Sequence, residues 1–363
     1  MSRALLTHLG SAMAGALILL CLPGVSNGLF HGDDDIPPLS PLPQKSKRPP
    51  AGSSDTDPSP PSQKNTKELP QADSLEALLN VAGINLPSRL ELESYLAASN
   101  HPAEGYLAAG MILQDSALMR EALARDPSNP HTLFALASRD DFPSDDRIEW
   151  ARQLQEEQPQ NSLATYLLAA LTWEDGTKSS VLENLGQTDD GQEFQSFTSA
   201  SMVALSETLS ATGSNPGGAA LYATMAVDLP HLSPLLALSR NLQDHAEHAP
   251  PGEAVTARQS NAALGSSLAA ERDLLSQLVG LSIQGNSYAN LPPDAPLPLD
   301  GVHPEALKLS IKKRRNQIRE LSGATEFLHA SPELIEGYAT RAMVLGEIEA
   351  LRWLGSRATS SIE

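Results

Sequence analysis

Glu121-Ala-Leu-Ala-Arg-Asp-Pro-Ser-Asn-Pro130 decides how this chain is read. Ala122 and Leu123 belong to the end of one helix, and Pro127 stops it by removing a backbone donor and clashing with the turn before it. Asn129 then offers a side-chain oxygen to the first amides of a new helix. Pro130 sits where a helix needs no N–H. An end, a turn and a start packed this closely predict two helices folded back on one another.

The same punctuation recurs on both sides. Asp73-Ser-Leu-Glu76 and Ser88-Arg-Leu-Glu91 read as capping boxes, with Leu75, Leu78, Leu79 and then Leu92, Tyr95, Leu96 at helical spacing. Further starts are predicted at Pro102, Asp115, Asn129-Pro130, Ser144, Asn161-Ser162, Gln192, Asn215-Pro216, Ser233-Pro234, Thr256 and Ser331-Pro332. Aromatic residues make up only 4% of the chain, while Ala and Leu dominate its apolar fraction, which favours helix over strand. No Asn-Gly or Asp-Gly hairpin joins alternating apolar runs. The predicted class is all-α, a helical-hairpin array.

The segment around Pro127 resembles the end of a tetratricopeptide repeat, in which a small residue and Leu on the second helix precede an Asp-Pro-x-Asn turn. Asn129 to Asn161 resembles one further unit. Leu133, Phe134, Leu136 and Ala137 fall on its first helix, Ile148, Ala151 and Leu154 on its second, and Gln158-Pro-Gln-Asn161 closes it. Pro127 and Pro159 stand 32 residues apart, near the family's ~34-residue period. The family's Trp and Leu-Gly positions are absent, so the likeness is that of a divergent repeat, clearest over about residues 103–175. It implies a helical-repeat solenoid with a concave surface that binds protein segments. Tyr106, His131 and Thr165 are the candidate members of that surface.

Later helices are read from their stripes: Phe194, Phe197, Ser201, Leu205 and Leu209 on one, Leu264, Leu268, Leu275, Leu278 and Leu281 on another. Asn290-Leu-Pro-Pro-Asp-Ala-Pro-Leu-Pro298 interrupts the pattern. A terminal hairpin follows, with Leu307, Ile311, Ile318 and Leu321 on one helix and Leu334, Tyr338, Leu345, Ile348 and Trp353 on the other. The predicted organisation is a leader over 1–26, a linker over 27–70, a helical domain over 71–286, a second linker over 287–302 and a hairpin over 303–357.

The leader predicts export. Arg3 precedes Leu9-Gly-Ser-Ala-Met-Ala-Gly-Ala-Leu-Ile-Leu-Leu-Cys-Leu22, an apolar run shorter than the ~20 residues that a bilayer requires. Pro23 and the small residues Gly24 and Ser26 place cleavage after Ser26. Two alternatives stay open: retention as a membrane anchor, or acylation of Cys21, since Ile18-Leu-Leu-Cys21 resembles a lipobox with Leu20 where a small residue is needed. Residues 27–70 hold ten prolines among polar residues and bury too little to order, so they read as a tether from periplasm or envelope to the folded part.

A formal charge of −19 argues against general nucleic-acid binding. Cys21 is the one cysteine, so neither a disulfide nor a thiolate metal site is expected. Asp244-His-Ala-Glu-His248 is the densest set of metal-competent side chains, with His245 and His248 on one helical face. Its order fits neither form of the zincin motif, and the polar end of a helix is the simpler reading. Lys308, Lys312, Lys313, Arg314, Arg315 and Arg319 form a basic run suited to an acidic partner, an anionic surface or a solvated face. No catalytic or cofactor motif is present. The expected function is therefore a non-enzymatic scaffold for protein partners, with a structural envelope component and an enzyme of hidden site as alternatives.

Overall fold

The computed structural model describes residues 84–98, 102–174, 176, 178–188, 192–288, 291, 296–299, 302–325 and 332–360. The leader with Cys21, the proline-rich segment and the start at Asp73 lie outside these residues. Among the described residues there are fifteen α-helices: α1 Arg89–Ala98, α2 Ala103–Leu113, α3 Ser116–Arg125, α4 Pro130–Ser138, α5 Ser144–Glu157, α6 Ser162–Thr172, α7 Lys178–Gly186, α8 Thr198–Ala211, α9 Pro216–Ala226, α10 Leu232–His248, α11 Pro251–Ala269, α12 Leu274–Ser287, α13 Pro304–Ser322, α14 Pro332–Leu345 and α15 Glu347–Ser360. The fold is all-α.

Local chemistry sets most of the starts. Asn129, Asn161 and Asn215 each cap a helix, accepting from the amides of Thr132 at 2.9 Å, Leu163 at 3.2 Å and Gly217 at 2.9 Å. Each such cap is worth ~1 kcal/mol. Ser88 and Glu91 close a reciprocal capping box ahead of α1, with the Ser88 amide donating to Glu91 Oε2 at 2.7 Å. Asp115 caps α3 through the Ala117 amide at 2.9 Å.

Three predicted elements differ. The stripe beginning at Phe194 is not helical throughout, because residues 192–197 lie outside any helix and Glu193 bridges to Asn161. Asn161 holds this segment, donating to the Gln195 carbonyl and accepting from its amide, both at 3.0 Å, so α8 begins only at Thr198. The Leu264–Leu281 stripe is two helices, since Asp273 accepts from the Ser276 amide at 2.7 Å and starts α12 afresh. The last predicted helix is broken at Gly346, whose φ of +92° is open to glycine at little cost. In addition, α11 starts at Pro251 rather than near Thr256, and α7 at Lys178 was not anticipated.

Consecutive helices pair as antiparallel neighbours: α2 with α3, α4 with α5, α8 with α9, α10 with α11, α11 with α12, and α14 with α15. The array then closes on itself. Helix α8 packs back on α2, and α10 packs on α6. One apolar core joins α2–α7 to α10–α12, and a second joins α1, α8 and α9 to α12–α15. Helix α14 lies along α9, so the 303–357 segment shares the second core and caps the array.

The α11–α12 pair is the closest approach. A Cβ on Gly280 would meet the backbone of Ala269, with the Gly265 carbonyl oxygen at 2.6 Å and the Leu268 carbonyl carbon at 2.7 Å. Backbone cannot move aside as a side-chain tip can. Gly280→Ala should therefore destabilise the fold by ~3 kcal/mol in urea unfolding. Gly252→Ala, with nothing within 4 Å of its added carbon, should be neutral or stabilising by up to ~1 kcal/mol. Equal effects of the two substitutions would contradict this packing.

Candidate functional site

Tyr106, His131 and Thr165 lie on α2, α4 and α6, the first helices of successive pairs, as a groove would require. The face they were expected to line is nevertheless closed. Every residue of α4 from His131 to Ser138 is buried. His131 is only 6% exposed, with Nε2 2.8 Å from Ser201 Oγ on α8 and its ring stacked 6.0 Å from that of Phe197. Phe134 stands 5.4 Å from Phe197 and 5.5 Å from His231. His131 is thus a core residue and no part of an open surface. The inner helices present too much apolar surface to face water, and the chain's own α8 and α10 cover it. Tyr106 stays half-buried beneath the Arg125 guanidinium, 3.9 Å from the ring centre, and Thr165 accepts from Gln155 Nε2 at 3.0 Å.

His245 and His248 are not brought together. His245 turns inward, its Nε2 2.9 Å from Glu253 Oε2 on α11 and its ring edge-on to Trp173 at 5.9 Å. His248 is exposed and donates from Nδ1 to the Asp244 carbonyl at 2.8 Å. Among the described residues no group of three or more His, Cys, Asp or Glu is placed to hold a metal ion.

Lys308, Lys312, Arg315 and Arg319 share one face of α13, with Lys313 beside it and Arg314 turned to Gln277 of α12; the helix touches only α12 and α15 closely. Ile311 and Ile318 are its buried anchors. Lys312 and Lys313 are exposed, and Arg315 is half-buried with its pKa lowered by that burial. None of the three makes an ion pair among the described residues, and no acid lies on α13 between Glu305 and Glu320. Exposed Leu309 adds an apolar element to the same helix.

A second feature joins three segments far apart in the chain. A cavity of about 490 Å³ lies where the segment before α8, the α11–α12 turn and the start of α15 meet, with Ser196, Phe197, Glu271, Asp273 and Glu347 in its wall. Ser196 Oγ donates to Glu271 Oε2 at 2.6 Å. The Leu274 amide donates to Glu347 Oε2 at 2.6 Å. Asp273 is 5% exposed, and its Oδ2 has no hydrogen-bond partner among the described residues. Burial pushes Glu271 up to about 7, and the charge of Asp273 adds to the effect against the Ser196 hydroxyl bond. Burial likewise pushes Glu347 up to about 7, opposed by the Leu274 amide and reinforced by Asp273. Asp273 is raised as well, by burial against its bonds to the α12 amides. Phe197 holds a φ of +56° at this wall. An aromatic residue in that region is strained by ~1–3 kcal/mol, which its packing on His131 and Phe134 offsets. Burial thus holds the Glu271 and Glu347 carboxyls near neutrality. Sequence reading missed it: the Asp273 cap was legible, but nothing local ties residue 273 to residues 196 and 347.

No protein-family model, no curated protein and no solved structure matches this chain.

His231 is fully enclosed and neither ring nitrogen has a hydrogen-bond partner among the described residues, and burial holds its pKa down to about 3; burial takes His131 to about 4. An unfolded imidazole binds protons below its ordinary 6.5, which the folded one refuses. Stability from these histidines is therefore complete above that value and is lost as pH falls towards the folded values. His231→Leu removes the unpaired nitrogens and this proton linkage. Its stability relative to the unsubstituted protein should rise by ~1 kcal/mol per pH unit on acidification below about pH 6.5, read from urea melts. A difference independent of pH would place His231 in water.

Proposed function

We propose that this protein is a non-enzymatic scaffold acting outside the cytoplasm, which captures an acidic segment of a protein partner on the basic face of α13. The observation that carries this reading is that Lys312, Lys313 and Arg315 make no ion pair among the described residues of a chain of formal charge −19. A chain with 44 acidic residues has ample opportunity to neutralise three cations internally. Leaving them uncompensated, one of them half-buried, favours an anionic group from elsewhere. Leu309 offers a small apolar contact beside them.

The hairpin pairs α2–α3 and α4–α5, with Asn129 and Asn161 capping equivalent helices, support a tetratricopeptide-like origin for the first half. Binding in a concave groove is not part of the proposal, because α8 occupies the inner face of α4. Export and a cell-envelope address rest on the Arg3, apolar and small-residue pattern of residues 1–26, which lies outside the described residues. Glu271 and Glu347, two carboxyls near neutrality beside a hydroxyl, favour acid–base chemistry in the cavity as a second reading.

Fluorescence anisotropy with a labelled poly-glutamate peptide tests the proposal, since the acidic body repels such a probe everywhere except at a basic surface. The full chain should bind it saturably, and K312E/K313E should weaken binding by at least about tenfold. Equal binding by that variant would overturn the reading. So would binding to phosphatidylglycerol vesicles without binding to the peptide, which would make α13 a membrane-facing helix.

A further inference from the structure

Helices α8, α12 and α15 all begin at the cavity, and Glu271, Asp273 and Glu347 gather there from two separate segments. Helix N-termini attract carboxylates, whereas burial disfavours their charge. None of the three acids has a lysine or arginine within ion-pair distance among the described residues. The groups facing them do not supply one. Glu193, ahead of α8, is another acid in the wall, and α8 itself presents Thr198 and Ser199. Arg272 in the α11–α12 turn directs Nη1 to the Val344 carbonyl at 3.1 Å, and its charge lowers Glu271 less than burial and Asp273 raise it. Arg314 of α13 is committed to Gln277 at 2.9 Å and Gln317 at 3.1 Å. Tyr338 of α14 shares a hydrogen bond with Glu347, and Arg352 and Glu349 of α15 pair with one another.

Three bonds fasten the α14–α15 corner to the α11–α12 turn. The Leu274 amide donates to Glu347 Oε2 at 2.6 Å, the Glu347 amide donates to the Arg272 carbonyl at 3.1 Å, and Arg272 donates to Val344. Gly346 forms the corner in a backbone region that leaves no room for a side chain, its added Cβ falling 3.0 Å from the Arg272 carbonyl oxygen. The corner is therefore a single narrow contact, separate from the broad packing of α14 along α9.

We propose that this corner is a proton-operated joint: with Glu271 and Glu347 protonated it is fastened, and with both ionised beside Asp273 the repulsion among three carboxylates outweighs the stronger bond that an ionised Glu347 accepts from the Leu274 amide, so that the corner parts and admits water. Only the joint loosens, because α14 stays held by α9. Helix α13 touches both α12 and α15, so its orientation follows the state of the joint. The inference does not depend on what α13 binds.

The sign follows from the direction of the shifts. Both glutamates are raised in the folded state from the ordinary 4.5 to about 7. The stabilisation that they contribute is complete below the ordinary value and is lost as pH rises through about 7.

Amide hydrogen exchange on the full chain, corrected for the intrinsic pH dependence of exchange, reads the joint directly. Protection of the Leu274 and Glu347 amides should fall by at least about tenfold between about pH 5.5 and about pH 8.5, while α4 amides hold theirs. E271Q/E347Q keeps the hydrogen-bond acceptors and removes the charge, so its protection should stay level across that range. E347Q alone, which should lose part of the fall, serves if the double variant does not fold. Constant protection in the unsubstituted protein would overturn the proposal. So would a fall shared by α4, or one that persists undiminished in the glutamine variants.

Discussion

Helix α4 has almost no surface that water can reach, and the rest of the architecture answers that constraint. Its residues from His131 to Ser138 are buried, by α2, α3, α5 and α6 from the hairpin array and by the starts of α8 and α10 from the half that returns. A nine-residue helix is too short to be stable alone, so it exists because both halves of the chain enclose it. The ring contacts among His131, Phe134, Phe197 and His231 are the seam between those halves. The seam also holds Phe197 in its left-handed conformation, which sets where α8 starts and therefore where the cavity opens.

This closure shapes what the molecule can do. A helical-hairpin array that stayed open would offer its inner helices to a partner. Here the same surface is spent internally, and the seam encloses a histidine with no hydrogen-bond partner among the described residues. What remains outside is uneven in charge: an acidic body with a basic helix, α13, at one edge. The acids at the α11–α12 turn and α15 are the reverse case, carboxyls enclosed with no ion-pair partner among the described residues. Both arise where the C-terminal helices dock, and that end of the fold carries the electrostatic tension of the molecule.

Much of the first half was legible because its signals are local. An asparagine before a proline or serine, or a serine three residues before a glutamate, caps a helix whatever lies around it, and Ser88, Asn129, Asn161 and Asn215 do so. Stripes of leucine were less informative. Leu264 to Leu281 keeps helical spacing across a turn, and only the Asp273 cap and Gly280's fit against Ala269 show that two helices meet there. The partner of each stripe was not legible at all, since one apolar face resembles another until packed. For that reason His131 read as a groove residue and proved to be a core one. The joining of Ser196, Glu271 and Glu347 is likewise a product of tertiary packing.

Carbethoxylation of histidines in the folded full chain, followed by mass spectrometry, tests the closure around α4 most directly. Exposed His248 should react readily, while His131 and His231 should stay unmodified until the protein is unfolded. Modification of His131 at the rate of His248 under folding conditions would mean that the inner face is open, and the account given for this fold would fail.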